Sequence, residues 1–333
     1  MNPSRTWVFL FFFISGATGL IYEVVWTRLL TLVMGNTQYS VATVLTVFMG
    51  GLALGSYLGG RWVDKTRDPL ILYAVLEGAI GVFCLLVPFL IEGASPAFKW
   101  IYIHLNDSYT QASLFRFLIC GSFLLVPTTL MGATLPVLSK FVSRKEEFIG
   151  RDVGTLYAMN TFGAVIGALT SAFLLMRLLG IQATVFIAAG LNIAIALLII
   201  LLFRRPATAD HLREIGPERG SPEEVGERSS PEEFFILTAF GVSGLCALVY
   251  QVAWNRILSL LLGSSIYAFS LILTTFILGL ALGTVFFSRR VHRFEDLYKV
   301  FGLQQAGIGF SALAVLPLFG EIPFVNRWVY QNV

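Results

Sequence analysis

Charge is what this sequence has least of. Asp, Glu, Lys and Arg make up 13% of its 333 residues, against roughly 25% in a soluble domain. That deficit excludes an ordinary water-facing globule. Cysteine and histidine are nearly as scarce, at three each. Cys84, Cys120 and Cys246 lie in separate apolar runs at spacings that match no disulfide framework and no zinc motif, so they read as small packing residues. His104, His211 and His292 are scattered, and a metal site is not expected. No Walker loop, no G-x-G-x-x-G after a strand, no G-x-S-x-G and no HExxH occurs, so no soluble catalytic signature is present. Nothing points to a cofactor or to nucleic acid. What remains is apolar: 56% hydrophobic residues, 29 of them Phe, and a mean hydropathy of +0.78.

Apolar runs of about 20 residues, long enough for a hydrocarbon core of about 30 Å, recur along the chain. They predict an all-α, polytopic transmembrane bundle of nine spans, near 7–34, 40–60, 70–91, 113–138, 153–176, 181–203, 234–262, 266–288 and 298–319. The first run is too long for a cleaved signal peptide, and a second follows at once. The connections alternate in charge. Arg5, then Arg61, Lys65 and Arg67, then Lys140, Arg144, Lys145 and Arg151, then Arg204 through Arg228, then Arg289, Arg290, Arg293 and Lys299 make 17 of the 23 basic residues. The opposite set holds Lys99, Arg177 and Arg327, and Arg28, Arg116 and Arg256 fall within spans. The positive-inside rule puts the N-terminus in the cytoplasm and the C-terminus outside. On the outer side, SPAFKWIYIHL (95–105) reads either as a short interfacial helix or as an aromatic-anchored loop.

The stretch 206–233 lacks aromatics and is rich in Pro, Gly, Ser and Glu. It cannot bury enough apolar surface to offset ordering entropy and is expected to be a disordered cytoplasmic linker. It separates a first transmembrane repeat (1–205, six helices) from a partial second repeat (234–333, three helices). At an offset of 228 residues, 15–61 aligns with 243–289 without a gap, with 20 identities in 47 positions. Ser15, Gly16, Tyr22, Trp26, Arg28, Gly35, Tyr39, Phe48, Gly51, Gly55 and Arg61 recur as Ser243, Gly244, Tyr250, Trp254, Arg256, Gly263, Tyr267, Phe276, Gly279, Gly283 and Arg289. Ile80 and Gly81 meet Ile308 and Gly309. Both copies begin on the same side, so the repeat is parallel. Major-facilitator transporters are built from two such six-helix halves, and GGRWVDKTR (59–67) resembles their loop between helices 2 and 3 through Gly60, Asp64, Lys65 and Arg67. His292 stands where Asp64 stood, so the second copy departs from that pattern. A complete second half would end near residue 431. The chain is therefore expected to be a truncated product, or a reduced protein whose bundle closes against a partner.

Two acids lie inside predicted spans, where a midplane charge costs about 2.5–3.5 kcal/mol even on the mild insertion scale. Ser15, Gly19, Glu23 and Thr27 share one helical face; Ser243, Ala247, Gln251 and Asn255 share the equivalent one. Such a stripe should face protein or a water-filled cavity rather than lipid. The second acid is Glu77, whose repeat counterpart is Gln305. The first half thus carries carboxylates where the second carries amides. Glu23 and Glu77, with Tyr22, Trp26, Gln251 and Gln305, form a candidate site for an organic cation, through charge pairing and cation–π contact. The same acids would also suit proton coupling, or be neutralised by Arg28, Arg116 or backbone and serve packing alone. Arg28 and Arg256, repeated, read as structural, as do Asp64 and Arg67. Gly51, Gly55 and Gly59, their mates Gly279 and Gly283, and Gly163 and Gly167 read as flat faces for close helix approach, with Asn160 as a buried amide beside them. Pro127 and Pro136 should bend the fourth span.

SGATGLIYEVVWTRLL (15–30), GGLALGSYLGGR, PTTLMGATLP (127–136) and GTLYAMNTFGAVIGA (154–168) together resemble the membrane portion of the bacterial fused major-facilitator/spermidine-synthase proteins. The resemblance implies a multi-pass protein of the bacterial inner membrane with a polyamine-linked role. It also implies a soluble aminopropyltransferase domain that these 333 residues do not contain, so no catalytic residue is carried over. Two functions follow as expectations: transporter-like handling of polyamines or other organic cations, or a non-catalytic scaffold anchoring an enzyme or joining a larger membrane complex.

Overall fold

The computed structural model describes residues 3–35, 37–66, 68–105, 108–142, 149–203, 231–262, 266–290, 294 and 296–332. Arg67, His292 and nearly all of the expected linker lie outside the described residues. Residues 231–233, assigned to the linker from composition, open a helix instead.

Ten α-helices are seen among the described residues: α1 (Pro3–Met34), α2 (Thr37–Asp64), α3 (Pro69–Gly93), α4 (Ser95–His104), α5 (Tyr109–Val142), α6 (Ile149–Thr170), α7 (Met176–Phe203), α8 (Pro231–Leu262), α9 (Ile266–Ser288) and α10 (Leu297–Asn332). Among the described residues eight stretches are long and apolar enough to cross a membrane, and the longest of them, Asp152–Phe203, has 52 residues. At 1.5 Å per residue it would reach about 78 Å, more than twice a hydrocarbon core. It breaks at Gly180, where φ is +81°, a left-handed backbone that glycine adopts without a Cβ clash. A π-turn at Ser171–Leu175 precedes the break. The stretch is therefore two passes, α6 and α7, which brings the number of spans among the described residues to nine.

Helix direction is set by which residues touch. Gly163 and Gly167 of α6 meet the backbone of Phe13 and Ala17 in α1, so the two helices run parallel. Gly51, Gly55 and Gly59 of α2 seat on Thr128, Thr129 and Ala133 of α5, again parallel. Gly78 faces Ala196, and Gly81 faces Ala189 and Ile193, so α3 and α7 are antiparallel. Gly78 is in ordinary contact with the Ala196 methyl, but at the other glycines the neighbouring helix comes so close that a Cβ would collide. Asn160 adds an interhelical bond from Nδ2 to the Phe12 carbonyl at 3.0 Å. The first six spans thus close on themselves around two apolar clusters. One gathers Tyr22, Trp26, Leu30, Phe48, Ile80 and Leu124. The other gathers Phe11, Phe12, Tyr73, Leu138, Leu156 and Ile199.

The second repeat docks through α9. Ser270 of α9 donates to the Ala168 carbonyl of α6, and Gly154 faces Ser288, so α6 and α9 are antiparallel. A third cluster seals this seam, with Leu20, Val24, Val41, Leu45, Ala164 and Ala168 against Phe269 and Leu273. By contrast Gly279 and Gly283 have nothing within 4 Å of an added Cβ. Their mates Gly51 and Gly55 pack on α5, the fourth span of the first unit, and the packing expected at Gly279 and Gly283 has no counterpart among the described residues.

Two local expectations are refined. The stretch 95–105 forms a helix rather than a loop, with Trp100, Tyr102 and Ile103 exposed and Ile101 buried. The helix α5 continues without interruption through Pro127 and Pro136.

Candidate functional site

The two intramembrane acids have different surroundings. Glu77 is fully buried and its carboxylate is paired on both oxygens. Ser15 Oγ donates to Oε1 at 2.6 Å, and Asn192 Nδ2 donates to Oε2 at 2.7 Å. Tyr22 donates its hydroxyl to Asn192 Oδ1 at 3.3 Å. Three helices, α1, α3 and α7, are thereby tied at one point, and Tyr73 is buried one turn before Glu77. Such a connected network satisfies a buried polar group that would otherwise be costly.

Ser243 Oγ donates to Gln305 Oε1 at 2.7 Å, across the same separation of 62 residues as Ser15 and Glu77. Tyr22 stacks on Trp26 at 5.6 Å and 16°, and Tyr250 stacks on Trp254 at 5.6 Å and 14°. The repeat seen in sequence is thus also a repeat of contacts, with a serine–carboxylate pair in one copy and a serine–amide pair in the other.

Glu23 is different. It is 1% exposed, and its Oε1 has no hydrogen-bond partner among the described residues. Gln251 and Asn255 on α8 are each 2% exposed. Gln251 Oε1 and both amide atoms of Asn255 are likewise unpaired. The helix carrying them is otherwise mostly exposed, so the stripe through Gln251, Asn255 and Ser259 is the face α8 turns inward. Leu20 and Val24, flanking Glu23, pack on α6 and α9, with Val252 beside them. Glu23 and the α8 stripe therefore both lie toward the seam between the repeats, whereas Glu77 lies within the first unit.

Neither arginine proposed as a neutralising partner serves that purpose. Arg28 is exposed near the end of α1. Arg116 donates to the Met34 carbonyl at 3.4 Å, capping α1, and its Nε is buried without a partner. Asp64 forms a 3.3 Å pair with Lys140, which also donates to the Val63 carbonyl at 2.8 Å and so ties the end of α2 to that of α5. Arg256 is exposed on α8. Tyr22 and Trp26 are fully buried against each other and Phe48, so their ring faces are occupied. Asn192 had no part in the reading from sequence. A lone amide in an apolar span such as GLNIAIA is the signal that could have flagged it.

The profile of the Major Facilitator Superfamily matches residues 7–330. The chain belongs to this superfamily. The chain is also similar to curated polyamine aminopropyltransferases. It is 24% identical to Polyamine aminopropyltransferase 1 of Streptomyces coelicolor over 58% of this chain and 33% of that protein. It is 26% identical to Polyamine aminopropyltransferase 2 of the same organism, over 59% and 34%. Polyamine aminopropyltransferase of Oceanobacillus iheyensis is 23% identical, over 56% and 33%. The chain thus spans about a third of the length of these relatives. No solved structure matches.

Proposed function

We propose that these helices form a transporter-like membrane domain that handles a polyamine or another organic cation, with Glu23 as its anionic anchor. The supporting observation is the unpaired carboxylate oxygen of Glu23, on a seam where Gln251 and Asn255 also keep amide atoms unpaired. A buried carboxylate without a partner is expensive, and a ligand ammonium is the kind of partner it lacks. Superfamily architecture adds weight, because substrate sites lie near the midplane between repeats. The names of the relatives supply the polyamine class. Glu77, Tyr22, Trp26 and Gln305 then act as supports of the helices around the site. The distribution of basic residues favours a cytoplasmic N-terminus in a bacterial inner membrane.

Labelled spermidine tests this reading, by equilibrium binding to protein in nanodiscs. Glu23→Gln is expected to weaken binding about tenfold or more, while Glu77→Gln, if still folded, retains it. Unchanged binding in Glu23→Gln would sink the site.

A second reading, a scaffold that holds a partner protein, is favoured by α8 and α10. Both present exposed apolar residues along their length, among them Phe234, Phe235, Phe240, Leu303, Phe310 and Leu313. Copurification of a stoichiometric partner would support it; a monodisperse lone monomer would count against it. Production of methylthioadenosine by the chain itself would overturn both readings in favour of an enzyme.

A further inference from the structure

The end of the bundle where α1 stops is poor in basic residues, yet two arginines converge there on one cavity. Arg28 comes from α1 and Arg177 from the start of α7, just after the π-turn. They line an open cavity of about 770 Å³ together with Gln182, Tyr267 and the Gly180 backbone, a size within the usual range for ligand pockets of about 300–1,000 Å³. Among the described residues no carboxylate lines it. Neither arginine makes an ion pair or hydrogen bond among the described residues. Tyr267 forms part of the wall and is fixed by Phe173, with ring centroids 5.2 Å apart. Beside the lining residue Ala172, Ser171 keeps a buried hydroxyl without a partner. The left-handed Gly180 and the π-turn are the local departures that bring Arg177 and Gln182 to the same rim as Arg28.

Two guanidinium groups without counter-charges, on separate helices around an open cavity, are a cradle for an oxyanion. Guanidinium forks suit phosphate oxygens bidentately and carry a smaller hydration penalty than an ammonium. At this depth the group would sit at the membrane–water boundary, where arginine stems reach along the apolar surface and keep the head wet. We infer that Arg28, Arg177 and Gln182 form a phosphate-class oxyanion site at the end of the bundle opposite its basic loops. Its ligand is either the headgroup of an anionic phospholipid or a free phosphate-bearing solute.

Two titrations of the full chain separate the sources. Native mass spectrometry counts phosphatidylglycerol retained against phosphatidylcholine, and calorimetry follows inorganic pyrophosphate added to protein in neutral detergent. Retention of phosphatidylglycerol without pyrophosphate binding identifies a lipid site; pyrophosphate binding identifies a soluble ligand. In either case Arg28→Gln and Arg177→Gln should each weaken the interaction about fivefold, as expected for one basic residue near a charged surface. Gln182→Glu, an exposed substitution that keeps both arginines, should abolish it by placing a carboxylate in the cradle. Arg61→Gln, which removes a charge at the opposite end, should leave pyrophosphate affinity unchanged. The inference is overturned if neither ligand is preferred over its neutral control, or if Gln182→Glu binds as tightly as the wild type.

Discussion

Asn192→Ala offers the most direct test of the network at Glu77. The substitution removes the donor to Glu77 Oε2 and the acceptor for the Tyr22 hydroxyl, at a site where Glu77 and Tyr22 are both 0% exposed. Neither bond is open to bulk solvent. Each buried polar group left unpaired costs about 1–3 kcal/mol in a protein interior. Interhelical hydrogen bonds within membranes, measured by double-mutant cycles, average a lower value of about 0.6 and reach about 1.7 kcal/mol. The expected loss for Asn192→Ala is therefore about 1–3 kcal/mol, with a coupling to Glu77→Ala of about 0.6–1.7 kcal/mol. Glu77→Gln should cost less than about 1 kcal/mol, because the equivalent serine–glutamine pair already exists at Ser243 and Gln305. Reversible unfolding in mixed micelles, with increasing sodium dodecyl sulfate, reads these differences. If Asn192→Ala unfolds at the wild-type midpoint, or its effect simply adds to that of Glu77→Ala, the two side chains are not energetically linked and the network is only a geometric coincidence.

Three further outcomes are expected. Gly55→Val should destabilise the bundle by about 1–3 kcal/mol or more through overpacking, since its Cβ would meet the Thr129 carbonyl, while its repeat mate Gly283→Val should change the same unfolding midpoint by less than about 0.5 kcal/mol. Equal effects at the two glycines would refute the packing asymmetry between the repeats. Lys140→Ala should shift the midpoint by no more than about 1 kcal/mol, because its partner Asp64 is largely exposed; a larger loss would show that the Val63 carbonyl bond carries the α2–α5 junction. Single cysteines introduced at Arg290 and Lys99 in a background lacking Cys84, Cys120 and Cys246 should react with a membrane-impermeant maleimide from opposite sides; labelling from one side would contradict the alternation of basic loops.

Much of the architecture was legible because its causes are local or periodic. Span length follows from apolar run length, and the gap-free 228-residue offset announced two units before any contact was known. The close-approach role of Gly51, Gly55, Gly59, Gly163 and Gly167 could be read because only a residue without a Cβ permits it. The same reasoning at Gly279 and Gly283 described a face but not its neighbour, since a face is a property of one helix and a contact requires two. Likewise Glu23 and Glu77 looked equivalent, both being acids in apolar runs with amide counterparts in the second repeat.

The sequence by itself determined that this chain is a bundle of membrane-crossing helices, that it is built from a parallel repeat, and that its negative charges within the spans belong to the first copy alone. These follow from composition and spacing, which act within a single helix or between aligned copies. Only the tertiary structure separated the two acids. Packing of α1 against α3 and α7 brings Ser15 and Asn192, 177 positions apart in the chain, onto Glu77, while Glu23, about two turns beyond Ser15 on the same helix, is turned toward the seam with no such partner for its Oε1 among the described residues. Hydrogen-bond satisfaction depends on which helices meet, and that information is not carried by any one of them.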